Sequence, residues 1–581
     1  MKSIFKFLVT FCIFSMLTVS CSEDFLDIKP FGSLSETTLS TEAGLNNLLI
    51  GAYSVLANGS YLLSNGVIRG TDDECIGTET GVSTWNAFMY TIDAGNGAWV
   101  HYYSGVLRCN EVLKLLPKVQ TISAANALQI EAEARFLRAH YYFELVKLFR
   151  NIPWIDETIS YGEKNYLVPN TVDIYPKIEA DMKFAADNLT ETKGQVGRAN
   201  KWAAKCYLAK VYMFQHKFAL AKPLLEEAIA NGKTSNNKKY ALQAEYNLNF
   251  IQRGKNSAEA VFTAQMDISD LAKSGNGNPM KQYNGTYGGP ATCCYGWSQP
   301  TFDAVDAYQT DSETGLPLTD TYMNTPVPHD NGLTSAQPFT PYTGTLDSRL
   351  DWCVGRRGIP YRDWGVHPGK AWVRNQFNAG PYNALKNIVE QARKATDQGN
   401  GGASNNPFNI IRFADVLLWA AECEVEIGSL AKAEEYVNIV RARASNPVSW
   451  VKKYKDNAKP LDGFTDEPAA NYKVGLYTGQ FAANGKSYAR KAVQMERRLE
   501  LAMEDHRFFD MVRWDGYDFN IVTWINAYMA RDGVRYLNTN NNYLKGATFE
   551  KPKHLYLPIP LTQIDLSYKE GQSVLVQNPG W

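Results

Sequence analysis

The sequence predicts a mainly α-helical protein in which helix pairs form a scaffold and a loop-rich half with short strands is set into it. Two observations carry this. Apolar residues recur in steps of three and four over several stretches, and each such stretch draws one face of a helix. Between them lie segments rich in Gly, Asn, Thr, Pro, Tyr and Trp, whose residues suit turns and loops. Apolar residues make up 45% and charged residues 20% of the 581, a globular balance.

The elements follow in chain order, beginning with a leader. Lys2 and Lys6 give it a positive start, and the run from Phe7 to Ser22 carries no charge. That run is short for a membrane span and fits the apolar core of a secretory signal. It ends Leu17-Thr18-Val19-Ser20-Cys21, which resembles a bacterial lipobox. Residues 1–20 are therefore expected to be a signal peptide. Cys21 is then the lipidated first residue of a mature chain, 21–581; a plain signal with a chance cysteine is the alternative. Each buried methylene of an acyl chain adds ~0.8 kcal/mol, so several chains make a lasting tether. No second run reaches membrane length, so membrane attachment is expected through the lipid alone. Glu23, Asp24 and Asp27 follow the cysteine closely.

The helical scaffold is expected at approximately 35–60, 105–230 and 409–515. Over 130–148 the apolar face is Ile130, Ala134, Leu137, Tyr141, Leu145 and Leu148. Over 174–189 it is Ile174, Ile178, Met182 and Leu189. Asn200 suits the N-cap of a helix over 201–216, which a short turn joins to 218–230. A similar pair follows at 411–427 and 430–444, with Ala414, Leu417, Ala421, Val425, Ala433, Val437 and Val440 inward. Small residues at the crossings and short turns make these pairs similar to tetratricopeptide repeats. Their spacing is irregular, so scattered hairpins are expected rather than a continuous array. One further charged, amphipathic helix is expected over 489–514. The loop-rich half covers approximately 60–105 and 231–408, and 446–488 and 535–581 are loop-rich as well. Long loops on a compact scaffold often carry function, so the loop-rich half reads as a binding face.

Several chemistries find no support. Net charge is −1, and no basic patch of nucleic-acid type stands out. There is no H-E-x-x-H, no G-x-S-x-G, no P-loop and no dinucleotide fingerprint, so neither a metal nor a cofactor is expected. Paired carboxylates remain open to inspection, because spacing in space is invisible among 60 acids. Cysteines at 75, 109, 206, 353 and 423 read as small buried residues. Adjacent Cys293 and Cys294 leave a pairing with Cys353 or Cys75 open.

An ordered set of segments then resembles the SusD/RagB family of outer-membrane nutrient-binding lipoproteins. Asp24-Phe25-Leu26-Asp27 follows Cys21, and Gly51-Ala52-Tyr53 closes a first helix. Glu133-Ala134-Arg135-Phe136-Leu137-Arg138-Ala139-His140-Tyr141-Tyr142-Phe143 is similar to the family's most recognisable helix, with Asn151-Ile152-Pro153-Trp154 after it. Asp347-Ser348-Arg349-Leu350-Asp351-Trp352, Arg412 to Leu418, Glu496-Arg497-Arg498-Leu499-Glu500-Leu501 and the ending Gln577-Asn578-Pro579-Gly580 complete it. The resemblance implies helix pairs of tetratricopeptide type and a variable loop-rich half. It implies a non-catalytic protein, lipid-anchored at the outer membrane and exposed on the cell surface. The partner it implies is a SusC-like TonB-dependent transporter, fed with a glycan. A peptide ligand, or a mainly structural role beside the transporter, is the alternative.

A sugar ring packs its C–H face on Trp or Tyr, and its hydroxyls need Asn, Asp or Arg. Two loop stretches offer that mixture. One runs from Arg69 through Asp72 and Asp73 to Trp85, Asn86 and Trp99. The other runs from Tyr283 to Tyr295 and Trp297, joined by Trp364. Trp85, Trp99 and Trp364 suit core packing as well as a ligand platform, and Asp72 and Asp73 suit caps. Arg135, Arg138, Arg497, Glu500, His506 and Arg507 read as structural ion pairs on periodic helices.

Overall fold

A computed structural model of the protein describes residues 39–57, 71–75, 85–160, 162–163, 165–269, 286–291, 296–537, 542 and 544–581. The leader, Cys21, Arg69, Tyr283, Cys293, Cys294 and Tyr295 lie outside the described residues.

The scaffold starts with α1 (Glu42–Tyr53), α2 (Asn96–Leu115), α3 (Ala124–Phe149), α4 (Tyr175–Asn188), α5 (Lys201–Met213) and α6 (Phe218–Asn231). Each packs on the next, so the chain folds back and forth as a stack of antiparallel neighbours. Side-chain caps set the starts: Thr41 accepts from the Gly44 amide, Ser123 from Asn126 and Asn200 from Ala203. Close approach is built in. A Cβ at Gly105 of α2 would stand 2.6 Å from the Tyr141 ring of α3.

The second block is α7 (Phe413–Ile427), α8 (Leu430–Ser445) and α9 (Gln480–Leu501), followed by α10 (Arg507–Trp514) and α11 (Ile521–Gly533). It does not stand apart: α7 packs directly on α6. The hairpins that are scattered in sequence are thus one continuous stack in space. Between 265 and 407 the described residues form an excursion from that stack. The neck of this excursion is an antiparallel pair, strands Ala260–Ala264 and Phe408–Arg412, with Ala260 opposite Arg412 and Ala264 opposite Phe408. Two short strand pairs join loops, Glu74–Cys75 with Gln299–Pro300 and Val354–Gly355 with Asn383–Ala384, and two more are local: Lys452–Tyr454 with Phe464–Pro468, and Tyr568–Lys569 with Gln572–Ser573.

Two boundaries differ from expectation. Helix α2 begins at Asn96, inside the stretch read as loop. Its early aromatics are helical core: Trp99 and Tyr102, continued by Val106 and Cys109, recur every three or four residues and are buried. The helix expected over 489–514 is broken, because Met503 and Asp505 take positive φ of 61° and 64°. The break turns the Glu504 carboxylate onto Arg412 and Lys386. Helix α11 also stands where no element is expected.

The excursion is held to the stack by buried ion pairs centred on α9. Glu496 accepts from Arg349 at 2.6 Å and from Arg441 at 2.8 Å. Glu500 meets Arg349 at 2.9 Å and also pairs with Arg412 and Arg443. Arg497 donates to Asp415 at 2.7 Å and to Asp510 at 2.9 Å. Arg498 reaches Asp73 at 3.0 Å and Asp303 at 2.8 Å. Such charges are tolerated inside only when each is matched, and here the matches come from the excursion, its neck and the helices at once.

Candidate functional site

The short strand pair Glu74–Cys75 with Gln299–Pro300 brings together the two loop stretches that carry the sequence-predicted site. Thr301 fixes the junction: its amide donates to the Asp73 carbonyl at 3.1 Å and its hydroxyl to the Asp72 carbonyl at 2.5 Å.

Within that junction the predicted residues divide. Asp72 is fully buried and receives Arg507 through both carboxylate oxygens, at 3.0 and 2.7 Å, and the Trp524 indole N–H at 2.8 Å. Burial alone would raise its carboxyl, but the Arg498 and Arg507 guanidiniums outweigh it and hold the group well below the usual range. Asp73 accepts from Arg498 at 3.0 Å; burial raises its carboxyl against that arginine, and the Asp72 charge adds to the rise. Expected as rim ligands, Asp72 and Asp73 are instead structural anchors, since their oxygens already hold the donors that a sugar hydroxyl would supply. Asn86 is buried too, and its side-chain amide donates to the Glu74 carbonyl at 3.2 Å.

The tryptophans divide likewise. Trp99 is core, 5.0 Å from the Tyr103 ring and 5.1 Å from Phe149. Trp364 is core as well. It closes a small cluster with Ala291, Tyr361, Leu385 and Ile388, and its N–H donates to the Val389 carbonyl at 2.8 Å. Both are corrected from platform to packing, for a physical reason: an indole buried on both faces has none to offer. Trp85 is half-buried, 5.1 Å from Tyr90, whose ring stacks on Trp581 at 6.0 Å. Trp297 is half-buried directly before the strand Gln299–Pro300. Cys353 is a free thiol between the hydroxyls of Tyr246 and Tyr308, each 3.6 Å away, so the pairing left open for it is not formed.

Sequence reading missed other aromatics on the loop-rich half. Tyr287 is 47% exposed and Phe377 48%. The Tyr287 amide donates to the Trp372 carbonyl at 3.0 Å, and the Arg374 guanidinium lies 5.4 Å from the Tyr287 ring. Gly289 allows this contact, because a Cβ there would stand 2.9 Å from the Trp372 ring. Tyr287 before two glycines, and Trp372 two residues from Arg374, are the same aromatic-and-polar signal already used for 283–297. The arrangement offers apolar ring faces beside hydrogen-bond donors on a rigid base, which is chemistry for holding a polar ligand with an apolar face. Among the described residues no group of His, Cys, Asp or Glu is arranged to hold a metal ion. No described helix is long and apolar enough to cross a membrane.

Known proteins share both the sequence pattern and the architecture. The profile of the SusD family matches residues 258–581, and a second, described as starch-binding associating with outer membrane, matches residues 24–213. SusD-like protein P25 of Formosa agariphila is 24% identical, over 96% of this chain and 95% of its own length. A SusD-like protein of Bacteroides ovatus is also 24% identical, over 97% and 95%. A SusD superfamily protein from Bacteroides vulgatus superposes with a TM-score of 0.65 at 20% identity, over 93% of this chain and 99% of its own. Surface glycan-binding protein A from Bacteroides thetaiotaomicron, solved in complex with laminarihexaose, gives 0.60 at 18% identity over 93% and 99%. A laminarin-binding SusD-like protein gives 0.60 at 21% identity, over 93% and 100%. Stacked helix pairs, a loop-rich excursion and a family match over more than half of the sequence lead to one conclusion: this chain belongs to the SusD family.

Proposed function

We propose that this protein captures a nutrient glycan at the cell surface and passes it, without catalysis, to a SusC-like TonB-dependent transporter. The observation that carries the reading is the set of ring faces on the loop-rich half, Trp297, Tyr287, Trp372 and Phe377, held on a rigid helical stack. Relatives with the same fold support it, two of which are named for laminarin or its hexasaccharide. Within this reading Trp297 is the principal platform, with Arg69, Trp85, Tyr283 and Tyr295 as the further ligand contacts that the sequence suggests. Anchorage through lipidated Cys21 keeps the protein at the outer membrane beside its transporter.

Isothermal titration against a panel of oligosaccharides tests this. At least one glycan is expected to bind, and Trp297→Ala is expected to weaken it about tenfold or more, or ~1.4 kcal/mol, with the melting temperature unchanged. Binding of peptides with no response to any glycan would replace this reading by a peptide-transporter one.

A further inference from the structure

A cleft of about 320 Å³ opens between α9, α10, α11 and the segment 319–323, over the arginines that hold Asp72 and Asp73. Its volume falls at the lower end of the ~300–1,000 Å³ typical of small-molecule sites. Of the described loop-face residues, none lines it.

The walls have two characters. One side is aromatic: the half-buried rings of Phe519 and Trp524 lie 5.6 Å apart, and the buried Trp514 ring supports them, 6.2 Å from Phe519. Met323 and Met495 extend this apolar surface. The rim is polar and of both signs, with Asp320 and Lys491 paired at 2.8 Å, both largely exposed, Asn520 capping α11 and Thr523 on it. The Trp524 ring is fixed, because its N–H is bound to buried Asp72. Trp514 is only 4% exposed, and among the described residues neither its indole N–H nor the Gln494 amide finds an acceptor. Both residues line the cleft, and both also border a smaller cavity between α6, α7, α9 and α10. Buried donors of this kind are stabilised by a ligand that accepts from them.

Charge narrows the ligand. Arg498, Arg507 and Arg531 line the cleft, but each is matched by a carboxylate beneath it: Arg498 by Asp73 and Asp303, Arg507 by Asp72, and Arg531 by Asp303. Asp518 is paired with Arg490. Among the described residues that line the cleft, no positive charge is left unmatched to draw an anion. Apolar ring faces, a neutral balance and a hydroxyl-pairing rim together suit a neutral sugar.

We infer that this cleft is a second carbohydrate site, for a neutral mono- or disaccharide unit, separate from the loop face. The inference rests on the glycan reading of the protein and adds a location and a charge class to it.

The test is saturation-transfer NMR with maltose, cellobiose and laminaribiose, with galacturonic acid as the anionic control. Ala527→Trp fills the cleft from an exposed position of α11 without removing any contact named here, and Thr523→Trp is a second filling variant. The full-length protein is expected to give a signal with a neutral disaccharide and none with galacturonic acid. Either filling variant, if its melting temperature is retained, should cut that signal at least tenfold, whereas Trp297→Ala should keep it. A disaccharide signal that survives both filling variants would overturn the second site, as would oligosaccharide binding by titration with no disaccharide signal. Those outcomes leave the loop face standing. Silence towards every saccharide, by both methods, would overturn the glycan reading and the cleft together.

Discussion

At the scale of single residues, most of the polar chemistry is spent on holding the molecule together, and one carboxyl shows what that entails. Asp532 on α11 is fully buried, and its Oδ2 accepts the Asp303 amide at 3.1 Å. Burial, reinforced by the nearby Asp303 charge and only partly opposed by Arg535, pushes its carboxyl up to about 8. The unfolded chain would titrate near ~3.9. Between those values the native state binds the proton more tightly, so this group's contribution is complete below about pH 4 and is lost as pH rises towards 8. Asp532→Asn keeps an acceptor for the Asp303 amide and cannot ionise. Calorimetric melts of variant and parent should nearly coincide at pH 5 and separate at pH 8.5, the variant being more stable by on the order of 1 kcal/mol or more. Curves that run parallel across that range would show that Asp532 does not titrate there.

Among the elements, α9 does the most to join regions that are distant in sequence. Its ions face inward, and Glu500 alone serves arginines from the excursion, from the neck and from α8. Burial works against the Glu500 carboxylate, but Arg443, Arg412 and Arg349 outweigh it and keep the group ionised well below the usual range. Glu500→Ala leaves three buried guanidiniums short of a partner. Removing one member of such a group typically destabilises by ~3–5 kcal/mol, and a urea midpoint lowered in that proportion is expected. A midpoint within error of the parent would mean that the arginines find other acceptors. Most helices of the stack were legible from sequence, because apolar spacing and caps such as Asn200 act locally, whereas α2 begins at Asn96 rather than near 105 and α11 was not foreseen. The break after α9 was not, since Met503 and Asp505 carry no glycine or proline signal and their positive φ follows from tertiary contacts. The site was legible by region and not by residue. Trp99, Trp364 and Trp297 have similar flanking composition, and only packing separates a core indole from a half-exposed one.

For the whole molecule, the question is whether the loop-rich excursion is a domain in its own right. Sequence alone leaves it looking separable, because a long loop-rich stretch lies between the hairpin at 201–230 and the one at 411–444. In space α6 packs on α7, and the neck closes the stack beneath the excursion. The excursion nevertheless supplies Asp303, Arg349 and Lys386 to buried pairs whose partners sit on or just after α9, and its Asp347 holds Arg349 in place. Neither region can then be satisfied without the other, because each would expose or strand charges that the other matches. One cooperative transition is expected, with near-ultraviolet signals from loop tryptophans and far-ultraviolet helix signals changing together. A sharper test joins Ala264 to Phe408 by a short Gly-Ser turn, deleting 265–407. The strand register permits this, since those two residues face each other across the ladder. If the excursion completes the core, the shortened protein should lack a cooperative melt, with Glu496, Glu500 and Arg498 deprived of Arg349 and Asp303. A sharp transition in the shortened protein would make the helical stack an autonomous scaffold and the excursion a module grafted onto it.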